Sequence, residues 1–149
     1  TAEEHSAAAS GAQAEQELRT HYAGTRILVA EDDWVNQEVI RELIVEVLGF
    51  SMDLAEDGER ALAMAEKDNY ALILMDMQMP EMDGVEATQC IRQLPGCVLL
   101  PIIAMTANAF AEDRAACMDA GMNDFLTKPV NPDLLFVTLL KWLNKPATG

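Results

Sequence analysis

Residues 73 to 84 read ILMDMQMPEMDG, an apolar run closed by a single carboxylate, Asp76, and followed by methionines, Pro80 and the turn pair Asp83-Gly84. A run that is apolar on both faces belongs in a parallel sheet covered by helices on each side. A carboxylate that terminates such a strand stands at the edge of the sheet, where open α/β folds bind their ligands.

Four further short apolar runs flank this one: Ile27 to Ala30, Met52 to Ala55, Ile102 to Met105 and Phe125 to Thr127, the central run itself extending from Ala71 to Met75. Stretches of helical period separate them. Val35, Val39, Leu43 and Val47 recur every fourth residue, with Ile40, Ile44 and Leu48 beside them, and Gly49 ends that helix. Helices are also expected from about Gly58 to Asp68 (Ala61, Leu62 and Ala65 inward) and from about Gly84 to Leu94 (Val85, Thr88 and Ile91). Two more follow, at Ala111 to Ala120 and at Pro132 to Leu143 (Leu135, Leu139 and Trp142). Five βα units in strict alternation predict a doubly wound α/β fold, with a five-stranded parallel sheet in the flavodoxin-like order 2-1-3-4-5. Residues 1–25, rich in Ala, Ser, Gln and Glu, read as a linker, tail or loosely held helix. Residues 26–144 form the domain, and 145–149 a C-terminal tail.

Composition narrows the function. Half of the 149 residues are hydrophobic, enough for one domain with a real core. The formal net charge of -15 argues against direct nucleic-acid binding, which needs Lys and Arg for the phosphates. No stretch approaches the ~20 apolar residues of a membrane helix, and no signal-peptide pattern opens the chain. Cys90, Cys97 and Cys117 lack the spacing of a disulfide framework or a zinc site. A cytoplasmic protein without membrane contact is expected. The chain opens on Thr1 rather than Met, as a piece of a longer protein would.

The strand ends carry the chemistry. Glu31, Asp32 and Asp33 follow the first strand, Asp76 ends the third, Thr106 follows the fourth and Lys128 the fifth. Carboxylates gathered on one edge repel each other, and an oxygen-liganded cation is the usual remedy. Magnesium, which pairs one or two carboxylates with phosphate oxygens, is the natural candidate. An aspartate beside it is suited to attack phosphorus and form an acyl phosphate. Each residue alone has a plainer reading: Asp33 as a helix cap, Asp83-Gly84 as a turn, Lys128 as a surface lysine. Their convergence on one edge favours the chemical reading.

These motifs resemble the receiver domains of two-component response regulators over about Arg26 to Leu143. ILVAEDD resembles the acidic strand end, LILMDMQMPEMDG the phosphoacceptor loop, and AEDGERAL the entry to the second helix. PIIAMTA resembles the switch-hydroxyl strand and DFLTKP the lysine motif. The resemblance implies that Asp76 accepts a phosphoryl group from a phosphohistidine on a histidine kinase or histidine phosphotransfer domain. It further implies that the domain catalyses its own phosphorylation and dephosphorylation. Asp32, Asp76 and the Gln78 carbonyl would bind Mg2+, with Glu31 acting through a metal-bound water. Thr106 and Lys128 would engage the phosphoryl group, Phe125 would report the state by its packing, and Gln78 and Asn108 would tune its lifetime. A cis peptide before Pro129 is implied as well.

Three features depart from the commonest family pattern: Glu31 in place of Asp, Asp33-Trp34 in place of Asn-Pro, and Phe125 without a hydroxyl. EDDWVNQEVIRELI, MTANAFAEDR and KPVNPDLL are most like receivers attached to hybrid histidine kinases. The few residues after the fifth helix leave no room for a DNA-binding output domain, so output would pass through a partner. A free-standing single-domain regulator is the near alternative. An aspartate-nucleophile phosphatase is disfavoured because Met77 and Gln78, not a second Asp, follow Asp76. A receiver-like module that binds partners without phosphorylation is disfavoured because the full residue set is present, and an EF-hand fails for want of its alternating acidic loop.

Overall fold

Alternation along the strands divides the core in two. In the computed structural model, which describes residues 2–79, 81–107 and 111–144, five parallel strands form one sheet in the order β2-β1-β3-β4-β5. The strands are β1 (Arg26–Ala30), β2 (Ser51–Ala55), β3 (Leu72–Asp76), β4 (Ile102–Thr106) and β5 (Asp124–Thr127). Ile27, Val29, Leu72, Leu74, Ile103 and Met105 face one helical layer, and Leu28, Ala30, Ile73, Met75, Ile102 and Ala104 face the other. Both sets are fully buried, as a sheet wound on two sides requires.

The first layer holds α1 (Ala2–His21), α2 (Trp34–Arg41) and α6 (Pro132–Leu143). The second holds α3 (Gly58–Lys67), α4 (Gly84–Ile91) and α5 (Ala111–Ala120). Helix starts follow local chemistry. Asp33, Asp57, Asp83 and Asn131 each accept a hydrogen bond from the backbone N–H three residues on, satisfying a donor the helix cannot. Gly49 ends the helical run after α2 at φ 75°, a conformation costly for any residue with a Cβ.

One expectation changes on contact with the structure, and another gains detail. The stripe expected to bury Val35 and Val39 is rotated: Gln37, Ile40, Ile44 and Leu48 are buried, whereas Val35 is 57% and Val39 41% exposed. Only one of two neighbouring i, i+4 rows can face the sheet, and the six residues Glu42–Val47 continue α2 as a π-helical segment that turns Ile44 and Leu48 inward. Within the segment 1–25, read as linker, tail or loosely held helix, Ala2–His21 form α1, with Ala14 and Leu18 buried against α6. Its small contact residues give no broad apolar stripe for a sequence reading to catch. Cys97 and Cys117 are small core residues, and Cys90 is half-buried.

Candidate functional site

The register of the sheet assembles the site. Ala30 pairs with Met75, so Glu31 leaves β1 beside Asp76 at the end of β3. Asp76 pairs with Met105 and Thr106 with Thr127, which brings Thr106 and then Lys128 into the same row. Two bonds extend this edge: the Met77 N–H donates to the Met105 carbonyl at 3.0 Å and the Lys128 N–H to the Thr106 carbonyl at 2.8 Å. The peptide between Lys128 and Pro129 is cis.

The loop after β3 is held tightly. The Gln78 N–H donates to Asp76 Oδ1 at 3.1 Å, and the Gly84 N–H returns to the Met77 carbonyl at 3.2 Å. A Cβ on Gly84 would lie 2.2 Å from the Asp76 carbonyl oxygen, so only glycine lets the start of α4 press against the loop. Gly58 has the same role from the other side, where a Cβ would lie 2.1 Å from the Met82 carbonyl.

Asp76 and Glu31 are almost completely buried, and Thr106 nearly so. The Lys128 ammonium lies 2.9 Å from Asp76 Oδ2 and 3.0 Å from Glu31 Oε1. One cation thus sits between two carboxylates. Burial disfavours the charge on Glu31 and pushes its carboxyl above the ordinary range; the neighbouring Asp76 adds to this and Lys128 opposes it. For Lys128 burial works the other way, yet Asp76 and Glu31 together outweigh it and hold the ammonium above its ordinary value. The cluster is short of positive charge.

A divalent cation suits that deficit. Carboxylate oxygens of Glu31, Asp32 and Asp76 all lie within 4.8 Å of one another. Among the described residues no donor makes a well-directed hydrogen bond to the buried Glu31 Oε1, although Lys128 is near. An all-oxygen set of this kind, open on the exposed Asp32 side, fits a hard ion that keeps part of its water. A cavity of about 570 Å³ opens over it, lined by Asp32, Asp76, Gln78, Asp83, Thr106 and Lys128, among others. That volume admits a phosphoryl group and leaves room for the side chain that delivers it.

The structure brings together Glu31, Asp32, Asp76, Gln78, Thr106 and Lys128. Phe125 stands apart, half-buried in the second core layer and paired in register with Ala104. Asn108 lies outside the described residues. Sequence reasoning missed Gln37, whose buried amide donates to the Glu31 carbonyl at 2.8 Å and anchors the acidic turn. Its signal was a polar residue three positions before Ile40 on the buried row.

A protein-family model described as the response regulator receiver domain matches residues 27–140. Hybrid signal transduction histidine kinase B of Dictyostelium discoideum is 40% identical over 131 residues, 80% of this chain but 7% of that protein. Signal transduction histidine-protein kinase BarA of Escherichia coli K12 is 36% identical over 123 residues, 83% of this chain and 13% of that protein. The chain therefore spans only a small part of these relatives. The receiver domain of sensor histidine kinase PA1611 from Pseudomonas aeruginosa PAO1, solved with a magnesium ion coordinated in its active site cleft, superposes at TM-score 0.77. It is 43% identical, covering 83% of this chain and all of that one. The receiver domain of Ssk1 from Saccharomyces cerevisiae, crystallised with the histidine phosphotransfer protein Ypd1, superposes at TM-score 0.72 with 29% identity, covering 80% and 89% of the two chains.

Proposed function

The chain belongs to the response regulator receiver family, and from that premise we propose that Asp76 is the acceptor of a phosphoryl group delivered from a phosphohistidine. The observation that carries the reading is the buried Asp76 carboxylate, paired with Lys128 at 2.9 Å under an open cavity of phosphoryl size. An Asp76 oxygen forms the new P–O bond as the P–N bond to the donor imidazole breaks, and the departing nitrogen takes up a proton. Lys128 neutralises charge on the transferred oxygens, and the Thr106 hydroxyl turns to meet one of them. Asp32, Asp76 and the Gln78 carbonyl would hold Mg2+, with Glu31 behind a water. When bound, the ion offsets the charge that builds on the phosphoryl oxygens. Gln78 lines the cavity and would tune the lifetime of the phosphoryl group, a role the family resemblance gives to Asn108 as well, while Phe125 would follow Thr106 by repacking.

The donor surface suggests itself beside the site. Trp34 is 70% exposed, and with Val35 and Val39 it forms an apolar strip on α2, directly after the acidic turn. A histidine phosphotransfer domain whose helix covers that strip would bring its phosphohistidine over Asp76. Similarity to receivers of hybrid kinases supports that origin for the domain, which we bound at 26–144. A free-standing regulator is the second reading. None of the described helices is long and apolar enough to cross a membrane.

Intact mass after incubation with acetyl phosphate tests the acceptor. One phosphoryl adduct that needs Mg2+ and is lost in Asp76→Asn is the expected result. No adduct in the parent protein, even with rapid quenching, would leave a phosphorylation-independent interaction module as the better reading.

A further inference from the structure

α1 and α6 are packed in parallel and in register. At one end Gly11 presses on Asp133 in the first turn of α6, where a Cβ on Gly11 would lie 2.5 Å from the Asp133 Cβ. At the other end the Tyr22 hydroxyl donates to Asn144 Oδ1 at 3.0 Å. Both pairs are separated by 122 residues, and two helices of equal rise keep a constant offset only when they run parallel and in step. Between these ends Ala14 and Leu18 are buried, at the spacing of a helix seam.

The seat is close-fitting at its start and thinly packed elsewhere. Only Gly11, Ala14 and Leu18 are buried on the described face of α1, and an open groove of about 370 Å³ remains beside them over Val137 and Leu140. A helix that carries an internal glycine and so little apolar area is held by its seat rather than by its own propensity. The seat also begins a few residues along the chain from the phosphoryl site. Lys128, which bridges Asp76 and Glu31, is five residues before Asp133, and Asn131 between them caps α6.

We propose that α1 is a releasable arm coupled to the Asp76 site, seated on α6 while Lys128 holds Asp76 and Glu31, and loosened when a phosphoryl group enters. This rests on the phosphoacceptor reading of Asp76. The group enters beside the ammonium now 2.9 Å from Asp76, so Lys128 exchanges its contact with the Asp76 carboxylate for the transferred oxygens, and in this proposal the shift passes along residues 129–131 to the start of α6. Glycine against Asp133 leaves no slack for that movement. Coupling of this kind is reciprocal, so an arm that is already unseated must favour the occupied site by the same factor.

Amide exchange of the whole chain, with and without Mg2+ and beryllofluoride, reads the arm, and 19F NMR confirms that the analogue is bound. The expected result is at least about five-fold faster exchange across residues 14–22, with β1 and β3 unchanged. Gly11→Leu, which cannot seat, and Leu18→Ala, which seats weakly without a clash, should each bind beryllofluoride more tightly, Gly11→Leu by a comparable factor. Bound analogue with unchanged exchange in α1 overturns the proposal, as does an unseated Gly11→Leu arm with unchanged affinity. Failure of the parent to bind beryllofluoride at all would instead sink the phosphoacceptor reading, and this inference with it.

Discussion

Two buried carboxylates share one ammonium in this site, and single substitutions should expose that economy. Lys128→Met leaves Glu31 and Asp76 facing each other without a cation, at a cost of about 3 kcal/mol. Mg2+ should then raise the melting temperature by more in Lys128→Met than in the parent, since the ion alone relieves the repulsion. An equal or smaller rise would show that the lysine is not the neutralising group. Gly84→Ala tests the loop rather than the charge. Its new Cβ must displace the Asp76 backbone, so a loss of about 2 kcal/mol is expected in urea melts, together with slower acetyl phosphate labelling. Asp76, Glu31, Asp32 and Lys128 were legible as residues because each strand ends where its apolar run ends. Gly84 and Gln37 were not, because their roles are a close approach and a bond to a carbonyl, neither of which leaves a pattern in sequence.

At the scale of elements, polar anchors at loops and strand starts hold helices to strands. Arg92 follows α4 and donates to the carbonyls of Gly121, Cys97 and Leu100 and to Asn123 Oδ1, which itself accepts from the Ile102 N–H. Arg92→Met orphans these acceptors and should cost about 3 kcal/mol without abolishing Mg2+ binding. At the opposite edge from the site, Asp53 accepts from the Tyr70 hydroxyl at 2.7 Å and from Arg26 at 2.6 Å. The Tyr70 bond first, and then Arg26, hold its carboxyl below the ordinary range despite partial burial. A depressed acid stabilises the fold above its unfolded value, near 3.8, and loses that contribution as pH falls through the folded one. Asp53→Asn should therefore be less stable than the parent at pH 7, with the gap closing below about pH 4 in paired denaturant melts. On α2, Trp34→Ala should slow transfer from a phosphorylated histidine phosphotransfer domain at least about ten-fold while leaving acetyl phosphate labelling unchanged. Equal slowing of both would move Trp34 from partner docking to the chemistry.

For the whole molecule, a net charge of -15 implies self-repulsion that any salt relieves, whereas the acidic site answers to a particular ion. Monovalent salt should stabilise the parent and Asp76→Asn alike. Millimolar Mg2+ should add stability mainly to the parent, about 2.7 kcal/mol once the ion reaches a hundred times its dissociation constant. Matching Mg2+ responses in both proteins would place the ion elsewhere.

The amino-acid order by itself determined the five βα units, the 2-1-3-4-5 sheet and the row of strand-end residues. The units follow from apolar periodicity, the order from the arrangement that five such units commonly adopt, and the row from the rule that parallel strands deliver their ends to one edge. Which row of α2 faces the sheet was decided by tertiary packing, since two neighbouring rows are equally apolar and only the π-helical segment turns Ile44 and Leu48 inward. The seat of α1 was decided there too. Gly11, Ala14 and Leu18 carry too little hydrophobic area to announce a buried face, and only the stripe offered by α6, more than a hundred residues away, makes them one.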